Sequence, residues 1–195
     1  VLGTIFALVT NALLAYIISR KRFLFRSQLS LFWVITMYVN GGMIPTLVLY
    51  RNMNLTNSFW VYVIPGMVSA FNVLVMRTFM EGLPSALEES AMIDGASVPR
   101  IFFQIVVPIM KPSIVSVAIL QAMWIWNDYL LPSLLLTDKK VYTLPVAMSL
   151  FQGTYSNQMD LLLAGLVMSI IPIIILYVVL QKYIIAGVVA GAVKS

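Results

Sequence analysis

The sequence contains neither cysteine nor histidine. Without cysteine the chain has no disulfides and no thiol nucleophile, and without either residue it lacks the usual ligands of zinc and haem iron. Imidazole acid–base chemistry is excluded in the same way. Enzyme mechanisms that depend on a thiol, an imidazole, or a zinc or haem centre held by these residues are therefore excluded.

Charged residues are also scarce. They make up 10% of the 195 residues, whereas 61% are hydrophobic and the mean hydropathy is +0.97. A soluble domain carries about 25% charged residues. The net charge of +5 comes from Lys and Arg scattered along the chain rather than from one basic patch, so it does not indicate nucleic-acid binding. The composition predicts a membrane protein.

Five uncharged or nearly uncharged stretches are long enough to cross a bilayer, which takes about 20 apolar residues in a helix. They are residues 1–19, 29–50, 58–76, 113–136 and 161–180. We therefore predict an all-α polytopic membrane protein, with residues 1–195 forming a single transmembrane domain. Because the sequence begins directly in apolar residues and without the basic start of a signal peptide, a sixth helix is expected in the intact subunit.

Alternation of the spans places residues 20–28, 77–112 and 181–195 on one side, and residues 51–57 and 137–160 on the other. The first side holds nine of the twelve Lys and Arg residues. Cytoplasmic loops are enriched in these residues, so the first side is predicted to be cytoplasmic, together with the C-terminus.

The long polar segment, residues 77–112, is predicted to form two short helices around a turn. Pro84 suits the first turn of a helix, Gly95 suits a left-handed helix end, and Ser97 suits the cap of a second helix. Small residues and acids in this segment favour the close approach of a protein partner. The alternative is an amphipathic connection lying on the bilayer, but such helices usually carry Lys and Arg, whereas this one carries Glu88, Glu89 and Asp94.

At this segment the sequence resembles the binding-protein-dependent ABC importer permeases, in particular the carbohydrate branch similar to the second maltose permease subunit. The family's EAA loop reads Glu-Ala-Ala, three residues, Gly, nine residues, Ile, one residue, Leu-Pro. Its positions are occupied here by Glu89, Ser90, Ala91, Gly95, Ile105, Val107 and Pro108. Ser90 and Val107 are conservative departures. The resemblance also covers other stretches, including Trp126-Asn127-Asp128, and spans essentially the whole chain.

The resemblance implies a bacterial inner-membrane permease whose residues 84–98 form a coupling helix seated in a socket of a separate ATPase subunit. The predicted coupling residues are Glu88, Glu89, Ser90, Ala91, Asp94, Gly95, Ala96, Ile105 and Pro108. The implied partners are a second permease subunit, two ATP-binding cassette subunits, an extracytoplasmic solute-binding protein and the lipid bilayer. The sequence has no Gly-x-x-x-x-Gly-Lys-Ser/Thr pattern, so the chain is predicted not to be an enzyme and to hold no cofactor, with ATP and Mg²⁺ bound by the partners.

Candidate pathway residues come from the polar and aromatic groups of the spans. They are Asn40, Asn72, Gln121, Trp124, Asn127 and Asp128. The amides can bond either a sugar hydroxyl or a neighbouring helix, Trp124 suits either a sugar ring or an interfacial belt, and Asp128 suits either a gate or a solvated helix end. Breaks at Gly41-Gly42 and Pro65-Gly66 are further candidates for pathway or hinge positions.

The exterior segment, residues 137–160, could contact the solute-binding protein through polar groups such as Thr143, Gln152 and Tyr155. The expected cargo is a sugar or oligosaccharide, with another polar solute as the alternative. A membrane enzyme would need several convergent acids or metal ligands, and an ion-coupled transporter would need charged relay groups at mid-membrane. Within the predicted spans the sequence has one acid, Asp128, which disfavours both.

Overall fold

The computed structural model describes residues 1–151 and 159–192, and all regular structure in these ranges is helical. The eleven α-helices of these ranges are α1 (Leu2–Ser19), α2 (Arg26–Tyr38), α3 (Met43–Asn52), α4 (Ala70–Glu81), α5 (Ala86–Ile93), α6 (Val98–Ile101), α7 (Val107–Ile109), α8 (Lys111–Trp126), α9 (Leu130–Leu135), α10 (Leu144–Met148) and α11 (Met159–Ala192). Short 3₁₀ turns occupy Phe59–Tyr62, Lys139–Val141 and Ser149–Phe151, and a π-helical turn occupies Phe102–Val106. The predicted all-α class is confirmed for the described part of the chain.

Three helical segments in the described ranges are long and apolar enough to cross a membrane: Leu2–Ser19, Lys111–Leu135 and Met159–Val179. They match the first, fourth and fifth predicted spans. The number rises to four if α2 and α3 are counted together as one span. The helices therefore support three or four crossings by length and composition.

The second predicted span, residues 29–50, is not one straight helix. It is divided into α2 and α3, which are bent by 114° relative to each other. The break contains Gly42, whose φ of +85° is a conformation that favours glycine, and the Gly42 amide donates to Asn40 Oδ1 at 2.9 Å. The predicted break at Gly41-Gly42 is confirmed, and it divides the predicted span into two helices.

The third predicted span, residues 58–76, is also not a continuous helix. Its first part is the 3₁₀ turn followed by turns through Pro65 and Gly66, and regular helix begins only at α4. Proline lacks the amide hydrogen that a helix interior needs, and the Ser69 hydroxyl accepts from the Asn72 amide at the new helix start. Helix α4 then continues to Glu81, beyond the predicted end of the span.

Helices α1, α4 and α8 pack against one another. Helix α2 packs against α1 and α4, and helix α11 packs against α8. Gly3 marks a close approach, because a Cβ there would lie 3.0 Å from both the Tyr62 carbonyl oxygen and Ile125 Cδ1. The main buried cluster joins residues of α1, α4 and α8 to Ala91, Ile101 and other residues of the 77–112 segment. The polar segment is thus packed into the helix bundle.

Loops predicted to share a side of the membrane do contact each other. At one end, Asn57 Oδ1 accepts from the amides of Thr137 and Asp138 at 2.6 and 3.0 Å, and Tyr62 Oη donates to the Val141 carbonyl at 3.1 Å. At the other end, Arg20 Nη2 donates to the Met80 carbonyl at 3.4 Å. The pairing of the connecting segments follows the predicted alternation.

Candidate coupling loop and polar groups of the spans

Helix α5 is closed at its end by Gly95. Its φ is +79°, the Gly95 amide donates to the Met92 carbonyl at 3.1 Å, and the Ala96 amide donates to the Ala91 carbonyl at 2.9 Å. These two bonds and the left-handed residue form a Schellman end. The predicted left-handed helix end at Gly95 is confirmed.

The second half of the segment returns to the bundle. Ser97 occupies the predicted position before α6, with proline in the first turn of that helix, but its side chain makes no capping hydrogen bond. The chain continues through the π-helical turn and α7, and residues Val98–Ile109 form a short apolar helical run. Within it Ile105 is partly buried and Pro108 is exposed.

One face of α5 is open and the other lies against the bundle. The open face, called here the outer face of α5, consists of Leu87, Glu89, Ser90, Ile93 and Asp94, all exposed, with Ile93 exposed to 87%. Gly95, which is also exposed, continues this surface at the helix end. Ala91 is buried and Ala96 partly buried. Of the predicted coupling residues in α5, Glu89 and Ser90 are therefore accessible to a partner, whereas Ala91 serves packing.

Glu88 lies on the inner face, although sequence reasoning grouped it with the partner-facing acids. It is 7% exposed, forms an ion pair with Arg20, and accepts from Tyr16 Oη at 3.4 Å. The Arg20 guanidinium also stacks over the Tyr16 ring at 4.7 Å. The sequence gives no local signal for this cluster because Arg20 and Glu88 belong to different loops.

The two mid-span amides predicted as pathway candidates are bonded to each other. Asn72 Nδ2 donates to Gln121 Oε1 at 2.7 Å, and Gln121 Nε2 donates to the Gly66 carbonyl at 3.1 Å. Both residues are buried, at 4% and 6% exposure. These contacts favour the interhelical role over direct contact with a solute.

Asn11 of α1 performs a related role that sequence reasoning missed. It is fully buried, its Oδ1 accepts from the Ser69 amide at 2.9 Å, and its Nδ2 donates to the Met67 carbonyl at 3.1 Å. Asn11 thereby pairs backbone groups that the break before α4 leaves without helical partners. As the only amide side chain in residues 1–19, it carried a usable signal.

The Asn72–Gln121 contact makes a specific prediction. We expect Asn72→Leu and Gln121→Leu each to cost about 1–2 kcal/mol of unfolding free energy, because each leaves buried polar groups unpaired. The loss of unfolding free energy in the double variant should be about 1 kcal/mol smaller than the sum of the two single losses, as measured by denaturant titration of the purified protein. Solute uptake per folded transporter should be the same in the double variant as in the parent. Additive costs together with a selective loss of uptake would instead indicate solute contact.

The other pathway candidates lie apart from this amide pair. Asn40 bonds the Gly42 amide, Asn127 Nδ2 donates to the Met123 carbonyl at 2.8 Å, and Trp124 is 75% exposed on α8. Asp128 is partly buried where α8 gives way to α9. In the described ranges only Asn72 and Gln121 of the six are hydrogen-bonded to each other.

A cavity of about 840 Å³ lies where the start of α1, α8, α11 and residues 140–145 meet. Tyr62, Trp126 and Thr143 are among the residues that line it, and Trp126 Nε1 donates to the Ser169 carbonyl at 3.2 Å. Thr143, predicted to face a solute-binding protein, thus borders this cavity. Gln152, Tyr155 and the rest of residues 152–158 lie outside the described residues, as do residues 193–195.

No group of three or more acidic side chains that could hold a metal ion occurs in the part of the chain that the structure describes. The features found instead are the outer face of α5 and the hydrogen bonds that Asn11, Asn72 and Gln121 make between spans.

Comparisons with known proteins agree with this architecture. Residues 1–189 match the family model described as binding-protein-dependent transport system inner membrane component. The polygalacturonan/rhamnogalacturonan transport system permease protein YtcP of Bacillus subtilis is 32% identical over 100% of this chain and 73% of its own length. The arabinooligosaccharides transport system permease protein AraQ of Halalkalibacterium halodurans is 39% identical over 78% of this chain and 55% of its own.

A solved structure is also similar. One chain of a bacterial ABC transporter involved in the import of the acidic polysaccharide alginate superposes with a TM-score of 0.80 and 31% identity, over 92% of this chain and 71% of that one. This chain thus spans about half to three quarters of the length of these relatives. Because the family model covers residues 1–189, the chain belongs to the inner membrane components of binding-protein-dependent transport systems, the permease subunits of ABC importers.

Proposed function

We propose that this chain forms one half of the translocation pathway of an ATP-driven importer and passes on the work of separate ATPase subunits. The observation that carries the proposal is the outer face of α5, an exposed helical surface that the core of the bundle holds in place. The remaining partners, a second permease subunit and an extracytoplasmic solute-binding protein, follow from the family. ATP and Mg²⁺ belong to the ATPase subunits in this proposal, since the sequence carries no Walker pattern.

The chemistry of the outer face of α5 suits docking. Glu89 and Asp94 have no ion-pair partner within the described residues, so they are available to basic side chains of another protein. Leu87 and Ile93 add exposed apolar surface to the same face. Beyond its two neighbours in sequence, an ideal Cβ on Gly95 would meet no atom of a described residue within 4 Å, so the helix end faces open space that a socket can enclose. Ile105 of the following helical run packs against the buried cluster that holds this projection, whereas Pro108 is exposed.

The membrane arrangement that we propose has five crossings in this chain. The third crossing consists of the irregular segment before α4 together with α4 itself, whose backbone is bonded by Asn11 and Gln121. The excess of Lys and Arg on the side that holds the 77–112 segment supports a cytoplasmic location for that segment and for the C-terminus. The chain is then a multi-pass protein of the bacterial inner membrane.

We propose an oligosaccharide as the cargo. The names of the relatives specify polygalacturonan/rhamnogalacturonan, arabinooligosaccharides and starch degradation products, and the related structure comes from an importer of alginate. These cargoes are polymers or oligomers of sugars, both neutral and acidic.

Uptake by the complete transporter tests the cargo. The chain would be reconstituted with its partner permease, ATPase subunits and solute-binding protein, and uptake of labelled neutral and uronic-acid oligosaccharides would be compared with that of amino acids and phosphate. We expect at least one oligosaccharide to enter at least tenfold faster than in vesicles with a hydrolysis-defective ATPase. Uptake confined to a non-sugar solute would contradict the proposed cargo while leaving the ATP-driven mechanism in place.

A further inference from the structure

Arg20, at the end of α1, contacts three helices at once. Its Nε donates to Ser19 Oγ of α1 at 3.1 Å, its Nη2 donates to the Met80 carbonyl of α4 at 3.4 Å, and its Nη1 forms the ion pair with Glu88 Oε1 of α5. The planar fork of a guanidinium presents five N–H donors in fixed directions, whereas a lysine ammonium presents three donors from a single nitrogen. The ends of α1, α4 and α5 therefore have a common connecting side chain.

The contacts around Arg20 are shielded from solvent. The Glu88 side chain is 9% exposed and that of Arg20 21%, and Tyr16 covers both with its ring and its hydroxyl. The Tyr16 ring in turn packs against Phe102 at 5.1 Å, in the second half of the 77–112 segment. Because a buried ion pair is screened less by salt and water than an exposed one, the attraction between its partners is stronger.

The second ion pair in the described ranges lies within a single helix and is more exposed to solvent. Arg77 and Glu81 lie one turn apart on the same helix, α4, and the Glu81 side chain is 39% exposed. Exposed pairs of this spacing contribute only a few tenths of a kcal/mol. Arg20–Glu88 is thus the ion pair that links separate elements, and Arg77–Glu81 is a matched control.

Helix α1 has no short covalent connection to the 77–112 segment, which is joined directly to α4 and leads into α8. The ion pair between the end of α1 and α5 is Arg20–Glu88, supported by Tyr16. Just beyond α1, Arg22 Nη1 also donates to Met92 Sδ at 3.3 Å. At its middle, α1 bonds the break before α4 through Asn11, which contacts Ser69 and Met67. A displacement of α5 can therefore reach the interrupted part of the bundle through α1.

The geometry points to Arg20, Glu88 and Tyr16 as a positioning cluster that makes α1 follow α5, so that force applied to the outer face of α5 moves the bundle. The inference rests on the proposed function, in which that outer face docks on an ATPase subunit. Glu88 is here a positioning residue and Glu89 a docking residue, although the two are adjacent in sequence.

Coupling efficiency is the quantity that tests this cluster. In vesicles with the complete transporter, solute uptake and ATP hydrolysis are measured together for the parent, Glu88→Gln, Glu81→Gln and Glu89→Gln. We expect Glu88→Gln to lower the number of solutes moved per ATP at least fivefold. Glu81→Gln should keep the ratio, and Glu89→Gln should lower uptake and hydrolysis in proportion because it weakens docking.

A ratio within twofold of the parent in Glu88→Gln would overturn the inference, and so would a proportional loss of uptake and hydrolysis, which a purely structural role predicts. Spin labels give a second test in the same transporter, since the 195 residues of this chain contain no cysteine. With labels at Lys21→Cys and Ile93→Cys, we expect a narrow distance distribution that broadens in Glu88→Gln, and an unchanged distribution would also overturn the inference. If the parent shows no ATP-dependent uptake, the proposed function fails, and the label distances still decide whether the cluster positions α5.

Discussion

Replacing Gly95 with tryptophan is expected to lower the amount of ATPase subunit that co-purifies with the permease at least tenfold. The φ of +79° is strained for a residue with a side chain, at a cost of about 1–2 kcal/mol. Apart from Gly95 and its two neighbours in sequence, no described residue has an atom within 4 Å of an added Cβ, so the indole would project into the space proposed for the socket. The measurement is a pull-down from membranes in which both subunits are co-expressed.

Gly95→Ala is the matched control for this effect. It carries the same backbone strain but adds a single methyl group, so we expect it to keep at least half of the associated ATPase. If tryptophan and alanine reduced association equally, the loss would come from strain alone, and the end of α5 would not be the docking surface.

Replacing Arg20 with methionine is expected to lower the unfolding free energy by about 3 kcal/mol. The substitution keeps an apolar stem against Tyr16 but leaves the Glu88 carboxylate buried without its counter-ion, which typically costs 3–5 kcal/mol. The lower end of that range applies because about a fifth of the Arg20 side chain is exposed. Denaturant titration of the purified permease measures the change.

The double variant R20M/E88M separates stability from coupling. With both charges removed, most of the lost stability should return, because a buried ion pair can be replaced by apolar groups at little cost. The number of solutes moved per ATP should nevertheless stay low, since the directed contacts among α1, α4 and α5 are absent. A double variant as unstable as R20M would contradict the account of the buried pair.

Features that depend on a few neighbouring residues could be predicted from the sequence. The left-handed end of α5 at Gly95 and the position of Ser97 before α6 follow from local backbone requirements. The first, fourth and fifth spans follow from the length of their apolar runs. The sites of both breaks were also visible, at Gly42 and at Pro65.

The path of the backbone through the breaks in the second and third spans could not be predicted, because an apolar run and a glycine or proline do not determine how strongly the chain bends there. The 114° bend between α2 and α3 is stabilised by a local contact of Asn40, and the irregular segment before α4 by Asn11 and Gln121 of other helices. Such backbone is tolerated in a membrane when other groups bond it.

Contacts between distant residues were the other part that the sequence could not provide. Tyr16 and Glu88 are 72 residues apart, and Asn57 and Thr137 are 80 residues apart. No spacing rule links such pairs, so the inward direction of Glu88 emerged only from the packing of α5. The outward direction of Glu89 depends on the same packing, because one residue on a helix corresponds to about 100° of rotation.

Uptake into vesicles containing the complete transporter, with ATP supplied on one side only, tests the central claim most directly. The account predicts that uptake of the solute requires Mg-ATP on the side that carries residues 77–112 and the solute-binding protein on the opposite side, and that it continues when ionophores collapse ion gradients. Uptake that proceeds without ATP and stops when an ion gradient is collapsed would contradict the account and identify an ion-coupled transporter.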